Sequence, residues 1–303
     1  MTGERFPASL VLGLAVLILL CCYCPAVASA APAAQLLQSA RADFESGKFT
    51  AASLTYEKLL RLSLASSQLN EVLPSFCEST LREGRLARAE SLIALSRTKL
   101  SDPLALARVA YLEAEISYFR GNLTGALTEY KDFVSSNSES QFANDAIDRL
   151  LLIDENGDFD NKPLLAYSYA EFLEFTGTPD SSLSLLRELL RNFPNAKIAD
   201  DAHMKIGDIL RSKRKFAEAL GEYRVIEETF PQSQLVPVER LKIAELYSED
   251  LGERDKAVAE YEAVITAFPG TSFAAEARGA VQKLQSGPIT HRGKGSDPGV
   301  TER

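Results

Sequence analysis

A small side chain followed four positions later by a large apolar one recurs along most of this chain. Ala52, Ala89, Ala126, Ser182, Ala219 and Ala257 are the small positions. Tyr56, Ile93, Tyr130, Leu186, Tyr223 and Tyr261 are the large ones. Successive small positions lie 37, 37, 56, 37 and 38 residues apart. Twelve residues before them a second small residue recurs as Ala40, Cys77, Ala114, Ala170 and Gly207, with Ala244 thirteen before the last. Between the two small positions the chain carries Gly47, Gly84, Gly121, Gly177 and Gly252, with Arg214 as the exception. Glycine suits the left-handed backbone that closes a helix. The pattern therefore predicts helical hairpins: two helices packed closely at small residues, filled by an aromatic or aliphatic side chain, and joined by a tight turn. Phe193-Pro194, Phe230-Pro231 and Phe268-Pro269 end second helices, because proline lacks the amide proton and disfavours helix in the residue before it. The extra residue before Gly252 is expected in the turn near Asp250.

The spacing of 56 exceeds the others by the length of one helix and a loop. The extra helix is expected over Gln141–Asp154, with a polar loop over Glu155–Lys162. Its start, Phe142-Ala143 with Ala146, matches Phe273-Ala274 with Ala277, which opens a terminal solvating helix reaching Leu284. The domain reading is three hairpins in residues 31–135, an extra helix and loop in 136–162 where the array bends, and three hairpins plus the closing helix in 163–285. Residues 286–303 are glycine-rich and aperiodic, and read as a disordered tail.

Across Ala33 to Leu284 these recurring positions resemble the tetratricopeptide repeat family. The resemblance implies an all-α, right-handed superhelical solenoid of about six hairpins plus extra and capping helices, its concave groove lined by the first helix of each hairpin. The preferred length of 37 exceeds the common 34. It is similar to the long repeats of bacterial envelope proteins of the Tol-Pal accessory and outer-membrane-assembly lipoprotein type.

The amino terminus reads as an export signal. Arg5 precedes the apolar run Leu10–Leu20, and Pro25 precedes Ala28-Ser29-Ala30, a small-residue cleavage pattern. Residues 1–30 are thus a signal peptide cut after Ala30 or Ala28, or residues 10–30 stay as a membrane anchor. Either outcome makes the protein exported, with the periplasm the expected compartment. The formal charge of −9 disfavours duplex nucleic acid as a partner. Cys21, Cys22 and Cys24 lie in the leader, which leaves Cys77 alone and excludes an internal disulfide beyond it.

Little else points to chemistry. The loop Asp154–Asp160 has Phe159 and Leu165 where a calcium loop requires glycine and glutamate. Asn122-Leu123-Thr124 is a sequon in a hairpin turn, where turn chemistry accounts for it. His203 follows Asp200 and Asp201 at a helix start, where the acids complement the helix dipole. No nucleophile–base arrangement or phosphate loop is visible, so no enzyme and no cofactor are expected. The residue after the first small position is Arg41, Glu78, Glu115, Glu171, Asp208 and Glu245. With Tyr111, Tyr118 and Tyr167 nearby, the five acids would line the groove and favour basic or amphipathic peptides. The competing reading is a solvated helix face. The function expected is an exported scaffold for protein partners. Alternatives are a structural component of envelope assembly using its convex faces, and a module that binds peptidoglycan.

Overall fold

The computed structural model describes residues 25–157 and 161–286, with side chains from Ala33 onward. Every regular element among them is helical. Residues 1–24 of the expected leader, the loop residues 158–160 and the expected tail beyond Ser286 fall outside the described residues.

The helices pair as the spacing predicts. Helices α1 (Pro25–Glu45) and α2 (Phe49–Leu59) form one hairpin, α3 (Ser66–Arg82) and α4 (Leu86–Lys99) a second, and α5 (Pro103–Phe119) and α6 (Leu123–Ser136) a third. Helix α7 (Ala143–Asn156) is the extra one, followed by α8 (Lys162–Phe175) and α9 (Pro179–Asn192). Two further hairpins are α10 (Ala199–Ser212) with α11 (Phe216–Thr229), and α12 (Val236–Glu245) with α13 (Arg254–Ala267). Helix α14 (Ser272–Ser286) ends the described chain.

The turns explain the glycines. Gly47, Gly84, Gly121, Gly177 and Gly252 have φ between 68° and 80°, and Arg214 takes φ 59° in the same role. At the first turn the Lys48 amide donates to the Asp43 carbonyl and Gly47 to Phe44, which satisfies the last carbonyls of α1. Equivalent bonds close the turns at Gly84, Gly121, Gly177 and Arg214.

At the last turn the Glu253 amide reaches Tyr247, one residue further back than elsewhere. The reason is that α12 continues as a π-helix over Leu246–Leu251. The extra residue expected in the turn is instead absorbed inside the helix as one wide turn.

Packing follows the small and large positions. Ala40, Ala52, Ala89, Ala114, Ala126, Ala170, Ala219, Ala244 and Ala257 are fully buried, as are Tyr130, Leu186 and Tyr223. At Gly207 the fit is closest, since an added Cβ would lie 2.3 Å from a Tyr223 ring carbon. Cys77 is buried near Ser96, and burial pushes its thiol up to about 12.

The chain forms two compact units that divide within α9, between Ser182 and Leu183. In the first unit, α7 packs on α6 as the opening helix of a further hairpin would. Helix α8 then doubles back over the ends of α3 and α5. Leu165 sits against Gly121, while Phe172 and Thr176 approach Gly84. The Phe175 ring lies 3.8 Å from the Arg82 guanidinium, and Phe119 packs against both Phe172 and Phe175. These contacts hold α7 and α8 in the first unit. In the second unit, α14 lies on α13 much as α7 lies on α6.

Candidate functional site

At four of the six repeats the residue after the small position of an opening helix pairs with an opposite charge further along the chain, whereas Glu171 and Glu245 pair back to Arg149 and Arg211. Arg41 pairs with Glu71, thirty residues on. Glu78 accepts from Arg108 at 2.6 Å, again thirty residues on. Glu115 accepts from Arg149 at 3.2 Å, and Asp208 from Lys242 at 2.8 Å, each thirty-four residues on. The repeat thus builds rungs of opposite charge between neighbouring hairpins. Two of the tyrosines at the large position of a second helix add their hydroxyls to a rung. Tyr130 donates to Glu115 at 2.5 Å and Tyr223 donates to Asp208 at 2.7 Å.

In the first unit this arrangement closes the row. Glu115 and Glu171 are only 5% and 8% exposed. The Arg149 guanidinium on α7 bridges them, reaching Glu171 at 2.5 Å, and its carbon lies 4.5 Å from the centre of the Tyr118 ring. Tyr118 donates to Glu171 at 2.8 Å. Burial, and then the adjoining carboxylates, raise the Tyr118 and Tyr130 phenols well above their ordinary value, so both remain hydrogen-bond donors. Burial opposes the charge on Arg149, but Glu171 and Glu115 outweigh it and the guanidinium stays protonated.

The three expected groove tyrosines are engaged within the first unit. Tyr118 and Tyr167 are buried, and Tyr111 stacks on Phe142 at 4.8 Å with Phe133 and Tyr130 beside it. Those three rings belong to the packing between helices. Neither an open groove nor a solvated helix face describes Glu115 and Glu171. Glu78 is also held, by Arg108 and more distantly by Arg82.

The second unit differs. Asp208 and Glu245 remain about one third exposed, at 34% and 36%, and Glu249 is 67% exposed. Arg211 gathers three carboxylates, with Asp250 at 2.6 Å, Glu249 at 3.0 Å and Glu245 at 3.1 Å. The π-helical turn carries Glu249 and Asp250 to that guanidinium. Among these contacts of the described residues four carboxylates meet two cations, Arg211 and Lys242, a local negative excess. Asp208 and Glu245 are the expected site residues that remain accessible together. The balancing cations Arg108, Arg149, Arg211 and Lys242 were missed, although the spacing of Arg108, Arg149 and Lys242 from the acids was readable.

Other titratable groups lie elsewhere. His203 Nδ1 is 2.8 Å from Glu222, and Asp200 accepts from Ser233 at 2.5 Å. Asn122 caps α6 by accepting from the Gly125 amide at 3.2 Å. Glu239 is 1% exposed, and one of its oxygens has no hydrogen-bond partner. Burial and then Glu227 raise its carboxyl to about 8. No group of three metal-ligating side chains occurs among the described residues, and none of the described helices is long and apolar enough to cross a membrane.

Residues 240–271, which span most of the last hairpin, match the tetratricopeptide repeat family model. No curated protein matches the chain. Among solved structures it is similar to the tetratricopeptide-repeat domain of P58(IPK), at 17% identity over 85% of this chain and 67% of that one, with a TM-score of 0.35. A tetratricopeptide repeat protein from Parabacteroides merdae aligns at 14% identity over 84% and 98%, with a TM-score of 0.33. The TPR2AB domain of yeast Sti1, solved as a complex with pHSP90, aligns at 13% identity over 84% and 99%, with a TM-score of 0.35. Among the described residues the fold is an all-α array of helical hairpins, the last of which matches the tetratricopeptide repeat model. Such an array is compatible with a scaffold for protein–protein interaction.

Proposed function

We propose that the chain is an exported scaffold of the bacterial cell envelope that holds basic or amphipathic peptide segments of partner proteins on the opening-helix face of its second unit. The observation that carries the reading is the contrast within one repeated position. Glu115 and Glu171 are sealed by Arg149, whereas Asp208 and Glu245 stay part-exposed in a surplus of negative charge. Complementary charge on a partner would gain on-rate and selectivity from that surplus. Export is supported by the charged, apolar and small-residue order of residues 1–30. The long repeat form, similar to that of bacterial envelope proteins, supports the compartment.

Peptide display against the full chain and against an Asp208→Lys/Glu245→Lys variant tests the reading. Extended basic sequences without an amphipathic helical pattern should be enriched on the wild type and lost on the variant. The same peptides recovered from both would overturn it.

A further inference from the structure

Helices α7 and α14 occupy equivalent places, each lying on the second helix of a hairpin, yet their outer faces differ. Matching Phe142-Ala143 and Ala146 to Phe273-Ala274 and Ala277 sets Ile147 against Arg278 and Leu151 against Gln282. The packed positions agree, since Ala143, Ala146, Ala274 and Ala277 are all buried. At the outer positions α14 is polar, as a helix that ends an array needs to be for solubility. Helix α7 instead exposes Ile147 by 39% and Leu151 by 51%, with Leu150 half-buried at their edge.

Asp145, Asp148 and Asp154 are exposed on the same helix, and none forms an ion pair with a described residue. The one cation of α7, Arg149, is turned inward to Glu115 and Glu171. An apolar stripe bordered by unpaired carboxylates has the inverse pattern of a basic amphipathic helix. We propose that the outer face of α7 docks a basic amphipathic helix of a partner protein, a second contact surface separate from the acidic face of the second unit. The apolar contact would supply affinity and the aspartates orientation.

The test uses a fluorescein-labelled leucine–lysine peptide patterned as an amphipathic helix. Its binding to the full chain is followed by anisotropy in an Asp208→Lys/Glu245→Lys background. That background removes the second-unit face, so failure here is distinct from failure of the function proposed above. Adding Ile147→Arg/Leu151→Gln, the residues found in α14, should weaken binding by at least about tenfold. Asp148→Lys, at an exposed site with no packing role, should also weaken it, while a leucine–glutamate peptide should not bind. Circular dichroism melts should be unchanged in these variants. Absence of binding, or equal affinity for the Ile147→Arg/Leu151→Gln and Asp148→Lys variants, would overturn the proposal. So would light scattering showing a dimer that the Ile147→Arg/Leu151→Gln change dissolves, which would make the occupant a second copy of this chain.

Discussion

Arg149 donates to Glu171 at 2.5 Å, joining a helix that interrupts the repeat to the helix that doubles back after it. With Glu115 on the other side, one guanidinium balances two buried carboxylates. Breaking a buried ion pair by removing one partner is far costlier than replacing the pair, because a charge is left without compensation. Arg149→Met should therefore destabilise the chain by about 3–5 kcal/mol in chemical denaturation. Adding Glu115→Gln and Glu171→Gln should restore part of the loss. A neutral Arg149→Met would mean that the cluster does not hold α7 and α8.

The hairpin register is tested at α10 and α11. Tyr223 is fully buried against Gly207 and donates to Asp208. Tyr223→Ala should cost about 3–5 kcal/mol. Tyr223→Phe should cost only about 0.5–1.5 kcal/mol, the share of the hydrogen bond. Gly207→Ala and Ala219→Leu should each cost about 1–3 kcal/mol by overpacking. Unchanged melting temperatures for the Tyr223→Ala and Gly207→Ala pair would contradict the register.

Arg214 holds φ 59° at a turn where the other hairpins carry glycine. A side chain with a Cβ is strained there by roughly 1–2 kcal/mol. Against that gain, glycine raises the entropy of the unfolded chain. Arg214→Gly should leave a net stabilisation of about 0.5–1 kcal/mol, read as a higher denaturation midpoint. Gly84→Ala should move the midpoint the other way.

Glu239 makes stability depend on pH. Burial, then Glu227 and Glu260, raise its carboxyl from the ordinary 4.5 to about 8, against the lowering effect of Arg240 and Arg224. The folded chain thus keeps a proton that the unfolded chain releases. Its contribution is full below about pH 4.5, declines as pH rises, and is lost above about pH 8. Glu239→Gln should remove that decline and exceed the wild type by about 1–3 kcal/mol at pH 8–9. Denaturation of both proteins from pH 5 to pH 9 provides the comparison. A constant difference across the range would count against the buried carboxyl.

The hairpins were legible because their rule is steric and local. Two helices meet closely only where side chains are small, so Ala40, Ala52 and their equivalents repeat regardless of context. The glycine turns were legible for a similar reason, and Arg214 was visible as the departure. The extra residue before Gly252 could be counted, but a turn and a π-helical widening absorb one residue equally well. The path of α8 could not be read, because it depends on Phe172 and Phe175 meeting α3 and α5 across long stretches of chain. The pairing of the acidic row was not legible for an electrostatic reason. Carboxylates on a helix usually face water, and only the later Arg108, Arg149 and Lys242 show that these face partners within the fold.

The contrast between the two units can be measured residue by residue. Carbodiimide-driven amidation of the native chain, mapped by mass spectrometry, reads the accessibility of each carboxylate. The expected result is ready labelling of Asp208, Glu245 and Glu249, with Glu115 and Glu171 protected until the chain is denatured. Equal labelling of Glu115, Glu171, Asp208 and Glu245 in the native chain would contradict the claim that only the second unit keeps its acidic face open.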